Sequence, residues 1–297
     1  MRPEPFLLHR REVLTGVLAL SAGLASGTAR ADGLAGQFQA IEQRAGGRLG
    51  LCAMTADRGK GVDWRSGERF LMCSTFKALA VSAVLARVDR GQEKLDRWIA
   101  YGEADLQDYA PVTKANLAKG GMALGDLCAA AIELSDNTAA NLILAALGGP
   151  GGVTGYVRSL GDTTTRLDRN EPTLNRPGPA GDPHDTTTPA SMVGLWRKVA
   201  LGDALAPASR AKLTGWLEAC QTGAERIKSV TPAGWKIGHK TGWGSNTLGD
   251  VALLTPPSGQ PILIAAYFEQ PDALSHPHDE AIAEAARIAL RFLTQTR

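Results

Sequence analysis

The stretch Cys73-Ser74-Thr75-Phe76-Lys77-Ala78-Leu79-Ala80-Val81 begins the most strongly helical part of the chain. Apolar side chains continue at helical spacing from Thr75 to Arg90, which predicts a buried helix that ends at Gly91. Ser74 then lies in the first turn, where free backbone N–H groups and the helix dipole favour an anion. Lys77 lies one turn away on the same face, so its amine can relay the serine proton. A capping serine beside a solvated lysine is the alternative interpretation.

The segments on either side of this helix predict an α/β fold with two lobes. Strand-like runs occur near both chain ends, over residues 48–55, 61–64, 235–241, 248–254 and 261–269. Helical patterns occur over residues 34–44, 124–134, 138–147, 153–160, 189–200, 207–220 and 279–294. One mostly antiparallel sheet, flanked by helices, would gather both chain ends around an inserted all-helical lobe. We place the α/β lobe at residues 32–71 and 217–297, and the all-helical lobe at residues 72–216.

The first thirty-one residues have the features of an export signal. Arg10 and Arg11 precede an apolar run from Val13 to Leu24, and Ala29-Arg30-Ala31 is a small-residue cleavage site. The arginine pair resembles a twin-arginine signal, with an ordinary secretory signal as the alternative. The apolar run is shorter than the ~20 residues that span a bilayer. We therefore expect a periplasmic or secreted protein without a stable membrane anchor after signal removal.

The composition argues against several classes of partner. Signal removal takes four of the 32 basic and two of the 30 acidic side chains, so the remaining chain has no formal net charge. No Lys/Arg run marks a nucleic-acid surface, and aromatic residues make up only 5% of the chain. The five His have no ligand spacing, so we expect neither metal nor cofactor. Export permits disulfides, but small buried thiols fit the four cysteines better, at Cys52, Cys73, Cys128 and Cys220.

Ser135-Asp136-Asn137 lies between two predicted helices and places three polar side chains at their corner. Ser135 could pass a proton to a leaving nitrogen, and Asn137 could donate its amide N–H to a substrate carbonyl. Asp136 and Asn137 are also good helix starters, so capping is an alternative or an additional role.

Lys240-Thr241-Gly242 ends a predicted strand. Its amine and hydroxyl would face the carboxylate of an anionic substrate, and Gly242 would let a ligand approach the backbone closely. The N–H of Trp243 would face that of Ser74, and two such donors form an oxyanion hole. Taken alone, three residues are also compatible with an ordinary strand end.

Glu171 and Asn175 lie on the Pro-rich segment 168–189, which is long for a connection without secondary structure. Such loops are usually functional or disordered. The two side chains could hold one water, and Glu171 could take its proton as the water attacks an acyl-serine ester. The Glu171-Pro172 bond is a candidate for the cis form. A surface carboxylate is the alternative, since most Glu residues are exposed.

Together these motifs resemble those of the class A serine β-lactamases. The patterns S-x-x-K, S-D-N and K-T-G occur in the family's order at Ser74, Ser135 and Lys240, with Glu171 between the last two. The likeness runs through nearly all of the chain after the signal. It implies hydrolysis of the β-lactam amide bond through a covalent acyl-serine intermediate, which confers resistance to these antibiotics.

The resemblance also implies a role for each matching residue. Ser74 would be the nucleophile, Lys77 and Glu171 would share the base work of acylation, Glu171 would act in deacylation, and Ser135 would protonate the lactam nitrogen. Asn141 would brace the loop that carries Glu171, and an Arg169–Asp185 salt bridge would close its neck. The substrate-binding residues would be Tyr109, Asn137, Asn175, Arg226, Lys240, Thr241, Gly242 and Trp243.

The chain departs from the family pattern at two positions near the last motif. Many relatives carry an arginine where this chain has Thr247-Leu248-Gly249, and that arginine grips the substrate carboxylate. Arg226 would take over this role, with a surface arginine as the alternative. Trp243 is bulky where relatives usually have a small residue, which leaves the substrate range open.

Two other functions share the three short motifs. A penicillin-binding D-alanyl-D-alanine peptidase needs no second base, so Glu171 with Asn175 argues against it. A non-hydrolytic β-lactam sensor stays acylated and is usually tethered to a membrane, and no second apolar span occurs in this sequence. We expect a monomer that acts on a small-molecule β-lactam.

Overall fold

The computed structural model of the protein describes residues 33–274 and 278–295. The export signal predicted over residues 1–31 lies outside these ranges. Across the described ranges, every helix is too short or too polar to cross a bilayer.

A five-stranded antiparallel sheet gathers both ends of the chain, as predicted. Its strand order is β2-β1-β9-β8-β7, and every pairing is antiparallel. The strands are β1 Arg48–Thr55, β2 Gly61–Trp64, β7 Lys236–Trp243, β8 Thr247–Thr255 and β9 Ile262–Glu269. Nearly every residue of β8 and β9 is buried, because helices cover both faces of the sheet. β7 forms one edge, with a ladder partner on one side only within the described chain.

Helices pack on both faces of the sheet. Helix α1, over residues 33–45, and α9, Asp279–Thr294, share one core with inward side chains such as Ala252 and Ile264. The alternate residues Val251 and Leu263 belong to a larger core on the other face. That core contains α2 Phe76–Asp89, α3 Pro111–Ala115, α4 Leu124–Glu133, α5 Asn137–Ala146, α6 Pro150–Ser159, α7 Pro189–Trp196 and α8 Pro207–Glu218.

The inserted segment 72–216 is mainly helical, but its description as an all-helical lobe needs a correction. It contains three short strands, β4 Trp98–Ala100, β5 Gly121–Ala123 and β6 Thr186–Thr187. β4 pairs with β5, and β6 pairs with β3, Phe70–Leu71, which lies just before the segment. Runs of two or three residues are too short to show the alternation that predicts a strand. Helix α7 also packs directly on β1 and β9. The lobe boundaries near residues 71 and 216 stay a prediction.

Most predicted elements begin and end within two residues of the observed ones. Helices α6 and α7 are the exceptions. Helix α7 ends at Trp196 and is followed by a π-helical turn, Arg197–Leu201, whereas we expected one helix to residue 200. Helix α6 begins at Pro150, whereas we expected a break through residues 148–152 and a helix from Val153. Gly148 and Gly149 have positive φ angles of 86° and 97°, so the chain turns before the proline. Proline is favoured at the first helical position because its missing N–H would have no partner there.

Candidate active site

Ser74 lies in a 3-10 turn, Cys73–Thr75, that leads directly into α2. The turn is held because Thr75 Oγ1 donates to the Met72 carbonyl at 2.7 Å. Cys73 has a φ of 44°, a left-handed conformation that residues other than glycine rarely adopt. Backbone strain of this kind concentrates at functional sites. The Ser74 side chain lies at the start of α2, and the residue is only 8% exposed.

Lys77 is fully buried one turn into α2. Its Nζ donates to the Ser135 carbonyl at 2.8 Å and to Asn137 Oδ1 at 2.6 Å, and it lies 3.1 Å from Glu171 Oε1. Burial lowers the pKa of Lys77, although the charge of Glu171 opposes the shift. Because Lys77 is buried, the solvated-lysine alternative is wrong, and the lowered pKa favours the neutral amine that can accept a proton.

Glu171 connects the serine to the lysine. Its Oε1 accepts from Ser74 Oγ at 3.2 Å and lies beside Lys77 Nζ, and its Oε2 accepts from Asn175 Nδ2 at 2.5 Å. Glu171 is 3% exposed, so the surface-carboxylate alternative is wrong. Asn175 Oδ1 is buried and has no hydrogen-bond partner among the described residues. Such an acceptor needs a partner, and a water beside Glu171 would supply one.

The loop that carries Glu171 is fixed at two places. Asn141 exchanges two hydrogen bonds with the Glu171 backbone, at 3.0 Å and 2.9 Å, so the predicted brace is confirmed. The predicted neck salt bridge is also confirmed, with Arg169 Nε 2.5 Å from Asp185 Oδ2. Asp185 is fully buried, and its Oδ1 also accepts the backbone N–H groups of Asp168 and Arg169. The Glu171-Pro172 peptide bond is cis.

Asp185→Ala is expected to destabilise the protein by about 3 kcal/mol, because two backbone N–H groups and a guanidinium lose their buried acceptor. Chemical denaturation measures the free energy of unfolding. Glu284→Ala is the matched control, since Glu284 pairs with Arg44 on the surface, with side chains 38% and 59% exposed. Exposed pairs contribute ~0–1 kcal/mol. Equal losses in the two variants would contradict the anchoring role of Asp185.

Ser135 lies between two amines. Its Oγ accepts from Lys77 Nζ at 3.3 Å and from Lys240 Nζ at 3.1 Å. Ser135 itself has a left-handed φ of 59° at the corner between α4 and α5. The hydroxyl can therefore give up its proton and regain one from either amine.

Asp136 caps α5, as the capping interpretation predicts. It is fully buried, and its carboxylate accepts the N–H of Ala139 at 2.8 Å and those of Val112 and Thr113 at 2.9 Å each. Asn137 begins α5, and its side-chain oxygen accepts a hydrogen bond from Lys77 Nζ. The SDN corner is thus both a structural cap and part of the site.

The end of β7 passes close to the Ser74 turn. A Cβ at Gly242 would lie 2.8 Å from the Met72 carbonyl oxygen, so only glycine fits there. Lys240 is fully buried, and burial lowers its pKa to about 7, with the positive charge of Lys77 contributing. Thr241 Oγ1 lies 2.6 Å from Thr222 Oγ1, a partner that no sequence pattern indicated.

Arg226 is buried behind the end of β7, so the surface-arginine alternative is wrong. Its NH1 donates to the carbonyls of Gly242 and Gly249 at 2.8 Å and 2.9 Å, and its Nε lies 2.5 Å from Asp279 Oδ1. The guanidinium therefore joins the ends of β7 and β8 next to the motif. Direct contact between Arg226 and substrate stays a prediction.

Two exposed aromatic side chains belong to the predicted substrate-binding set. Tyr109 and Trp243 are 50% and 53% exposed, and Trp98 is the other large hydrophobic residue exposed within the described ranges. The Tyr109 carbonyl accepts the N–H of Asn137 at 3.0 Å, which ties it to the SDN corner. Exposed aromatic groups beside a polar site are typical of ligand contact surfaces.

A serine at a helix start, bonded to a buried carboxylate that also meets a buried lysine, defines an enzyme that works through an acyl ester on serine. The profile of a family described as the Beta-lactamase enzyme family matches residues 33–293. The chain is 40% identical over 282 residues to Beta-lactamase Toho-1 of Escherichia coli, covering 94% of this chain and 96% of that protein.

Solved structures agree with the sequence comparison. The ancestral (GNCA) class A β-lactamase is 50% identical, with a TM-score of 0.83, and the match covers 87% of this chain and 99% of that chain. The β-lactamase from Desulfarculus baarsii is 44% identical, with a TM-score of 0.85, over 90% and 99% of the two chains. The chain therefore belongs to the beta-lactamase enzyme family, in its class A of serine enzymes.

Proposed function

We propose that this enzyme hydrolyses the β-lactam amide bond of antibiotics through an acyl ester on Ser74, and so confers resistance. The observation that carries the proposal is the buried Glu171 carboxylate, in contact with Ser74 Oγ, Lys77 Nζ and Asn175 Nδ2. A base at this place is needed to remove the acyl group, whereas a protein that only acylates itself does not need one.

Acylation begins when Ser74 Oγ attacks the lactam carbonyl carbon. Its proton is accepted by Glu171, 3.2 Å away, or by Lys77. Glu171 and Lys77 contact each other, so both can act as the base in this step. The backbone N–H groups of Ser74 and Trp243 stabilise the developing oxyanion, and each such donor is worth ~10²–10³ in rate.

The lactam C–N bond then breaks, and its nitrogen takes the proton of Ser135 Oγ. Lys77 at 3.3 Å or Lys240 at 3.1 Å returns a proton to that hydroxyl. Deacylation follows when a water held by Glu171 and Asn175 Oδ1 attacks the ester carbon. Glu171 takes the proton of this water, and general-base help of this kind is worth ~10²–10⁴.

The substrate carboxylate is held by Lys240 Nζ and Thr241 Oγ1, with Arg226 adding positive charge behind them. Gly242 lets β7 pass close to the turn that carries Ser74, rather than leaving room for a ligand as the sequence suggested. Asn137 Nδ2 donates to the substrate side-chain amide. Tyr109 and Trp243 form the apolar walls of the opening. We place this activity in the periplasm or outside the cell, in a monomer released by cleavage after residue 31.

The proposal is tested by counting turnovers of a chromogenic cephalosporin by purified protein. The expected result is many product molecules per enzyme molecule. A single stoichiometric burst followed by arrest would instead indicate a peptidase or a non-hydrolytic sensor.

The pKa of Lys240 predicts a pH limb in substrate capture. Its amine is charged below pH 7 and becomes neutral above it, so kcat/KM is expected to fall as pH rises from 7 to 9. A charge-assisted hydrogen bond contributes ~1.5–3 kcal/mol, which corresponds to about 10–100-fold. Lys240→Arg stays charged throughout this range, and its profile should lose the limb. The same limb in both proteins would exclude Lys240 as its source.

A further inference from the structure

A second cluster of reactive side chains lies behind Thr241, outside the residues that the mechanism uses. Cys220 is in the coil after α8, and His239 and Asp250 are on β7 and β8. All three are buried, with exposures of 1%, 1% and 0%. The chain neighbours of Cys220, Ala219 and Gln221, are exposed and lie outside helix and strand, so a small reagent needs only a local opening to reach the sulfur.

Asp250 orients the histidine ring. His239 Nδ1 lies 3.1 Å from Asp250 Oδ1, which leaves Nε2 as the second polar atom of the ring. Nε2 is buried and makes no hydrogen bond of regular geometry among the described residues, but the Cys220 thiol is close enough to shift the pKa of the ring. A carboxylate-oriented imidazole beside a thiol is the arrangement that activates cysteine nucleophiles.

Cys220 differs electrostatically from the other three cysteines, although all four are free and buried. Burial raises the pKa of the Cys52 thiol to about 12, and also raises the pKa values of Cys73 and Cys128. At Cys220, burial acts in the same direction, but the His239 ring and the charge of Lys240 outweigh it and lower the thiol pKa to about 7.

The histidine shows the reciprocal effect. Burial acts to lower the pKa of His239, but the Asp250 carboxylate and the Cys220 sulfur outweigh it and raise that pKa to about 10. Both shifts favour a Cys220 thiolate paired with a His239 imidazolium, in contrast to the other three cysteines. The described residues contain no group of three or more His, Cys, Asp or Glu placed to hold a metal ion. Covalent chemistry at sulfur fits the cluster better than metal binding.

The sulfur is coupled to the substrate-binding hydroxyl by one intervening residue. Cys220 Sγ lies 3.4 Å from Thr222 Oγ1, which lies 2.6 Å from Thr241 Oγ1. Because Cys220 is 1% exposed, a group added to its sulfur must displace packed neighbours, and Thr222, which contacts both the sulfur and Thr241, is expected to move.

We propose that Cys220 is a covalent modification site for peroxides and small thiol-reactive electrophiles, and that its modification weakens substrate capture at Thr241. With a peroxide, the thiolate attacks one oxygen and the O–O bond breaks. The leaving hydroxide or alkoxide takes up a proton, and the sulfur is oxidised to a sulfenic acid. With methyl methanethiosulfonate, the thiolate forms a mixed disulfide and methanesulfinate leaves. The coupling to Thr241 rests on the proposed function, whereas the site of modification does not.

The test treats the folded protein with methyl methanethiosulfonate at pH 7.5 and follows intact mass, peptide mapping and kcat/KM together. We expect Cys220 to react at least ~10-fold faster than Cys52, Cys73 and Cys128, because little of an ordinary thiol is ionised at this pH. kcat/KM should fall in proportion to the fraction of protein that carries the Cys220 adduct. Cys220→Ser should keep its activity and resist the reagent, and His239→Asn should slow the modification of Cys220 by roughly tenfold.

The outcomes separate the parts of the proposal. Absence of a fast adduct, or faster labelling of Cys73 beside Ser74, would overturn the assignment of Cys220. A complete Cys220 adduct with unchanged kcat/KM would overturn the coupling to Thr241. The mass and mapping results stay informative if the protein fails to turn over β-lactams, so failure of the proposed function is recognised separately.

Discussion

Glu171→Gln is expected to trap the acyl-enzyme. The amide keeps the shape of the carboxyl group but cannot take a proton from the attacking water, so deacylation should slow by ~10²–10⁴. Acylation continues if Lys77 can take the Ser74 proton. Mixing the variant with a penicillin and recording intact mass over time should show one adduct per protein that persists, while the unsubstituted enzyme returns to its original mass.

Asp182→Asn is the matched control for this variant. It makes the same carboxyl-to-amide change on the same loop, where Asp182 contacts the exposed His184 rather than Ser74. Its adduct should disappear as fast as that of the unsubstituted enzyme. A Glu171→Gln protein that clears its adduct at the normal rate would remove Glu171 from deacylation.

Ser74→Ala is expected to abolish the covalent adduct and nearly all turnover. Loss of a serine nucleophile costs about 10⁶ in kcat in another serine hydrolase, and residual activity comes from binding and the oxyanion donors. Intact mass after penicillin should equal that of the untreated variant, and turnover of a chromogenic cephalosporin should fall to near the background rate.

Ser82→Ala is the matched control, because Ser82 is also buried in α2 and its hydroxyl donates to the Ala78 carbonyl within the helix. This variant should acylate and turn over normally. Both variants should unfold at temperatures close to that of the unsubstituted enzyme. A penicillin adduct on folded Ser74→Ala would assign the nucleophile to another residue.

The sheet and the long helices are predictable because their residues follow simple periods. Alternation and continuous apolar runs predict β1, β8 and β9, a long apolar run predicts α2, and the 3.6-residue period predicts α9. The motif residues are predictable for a different reason. Helix geometry brings Ser74 and Lys77 to one face, and the order of the short motifs indicates the family. Much of the site can therefore be predicted from the fixed spacing of its residues along the chain.

Contacts between distant segments are not predictable in this way. Thr222 contacts Thr241 only because the coil after α8 passes close to β7. No sequence motif at either residue predicts this contact. The left-handed φ angles of Cys73, Ser135 and Asp185 are imposed by tertiary packing on residues that rarely adopt them. Arg226 resembles a surface residue in sequence, and its burial follows from the meeting of two strand ends.

The proposed deacylation requires Glu171 and Asn175 to hold one water against the ester on Ser74. A crystal structure of the Glu171→Gln acyl-enzyme, trapped with a penicillin at high resolution, tests it most directly. We expect a water within hydrogen-bonding distance, about 2.6–3.2 Å, of both Asn175 Oδ1 and the residue 171 side chain, and facing the ester carbon. An ester whose carbon faces no such water, with the residue 171 side chain turned to bulk solvent, would contradict it.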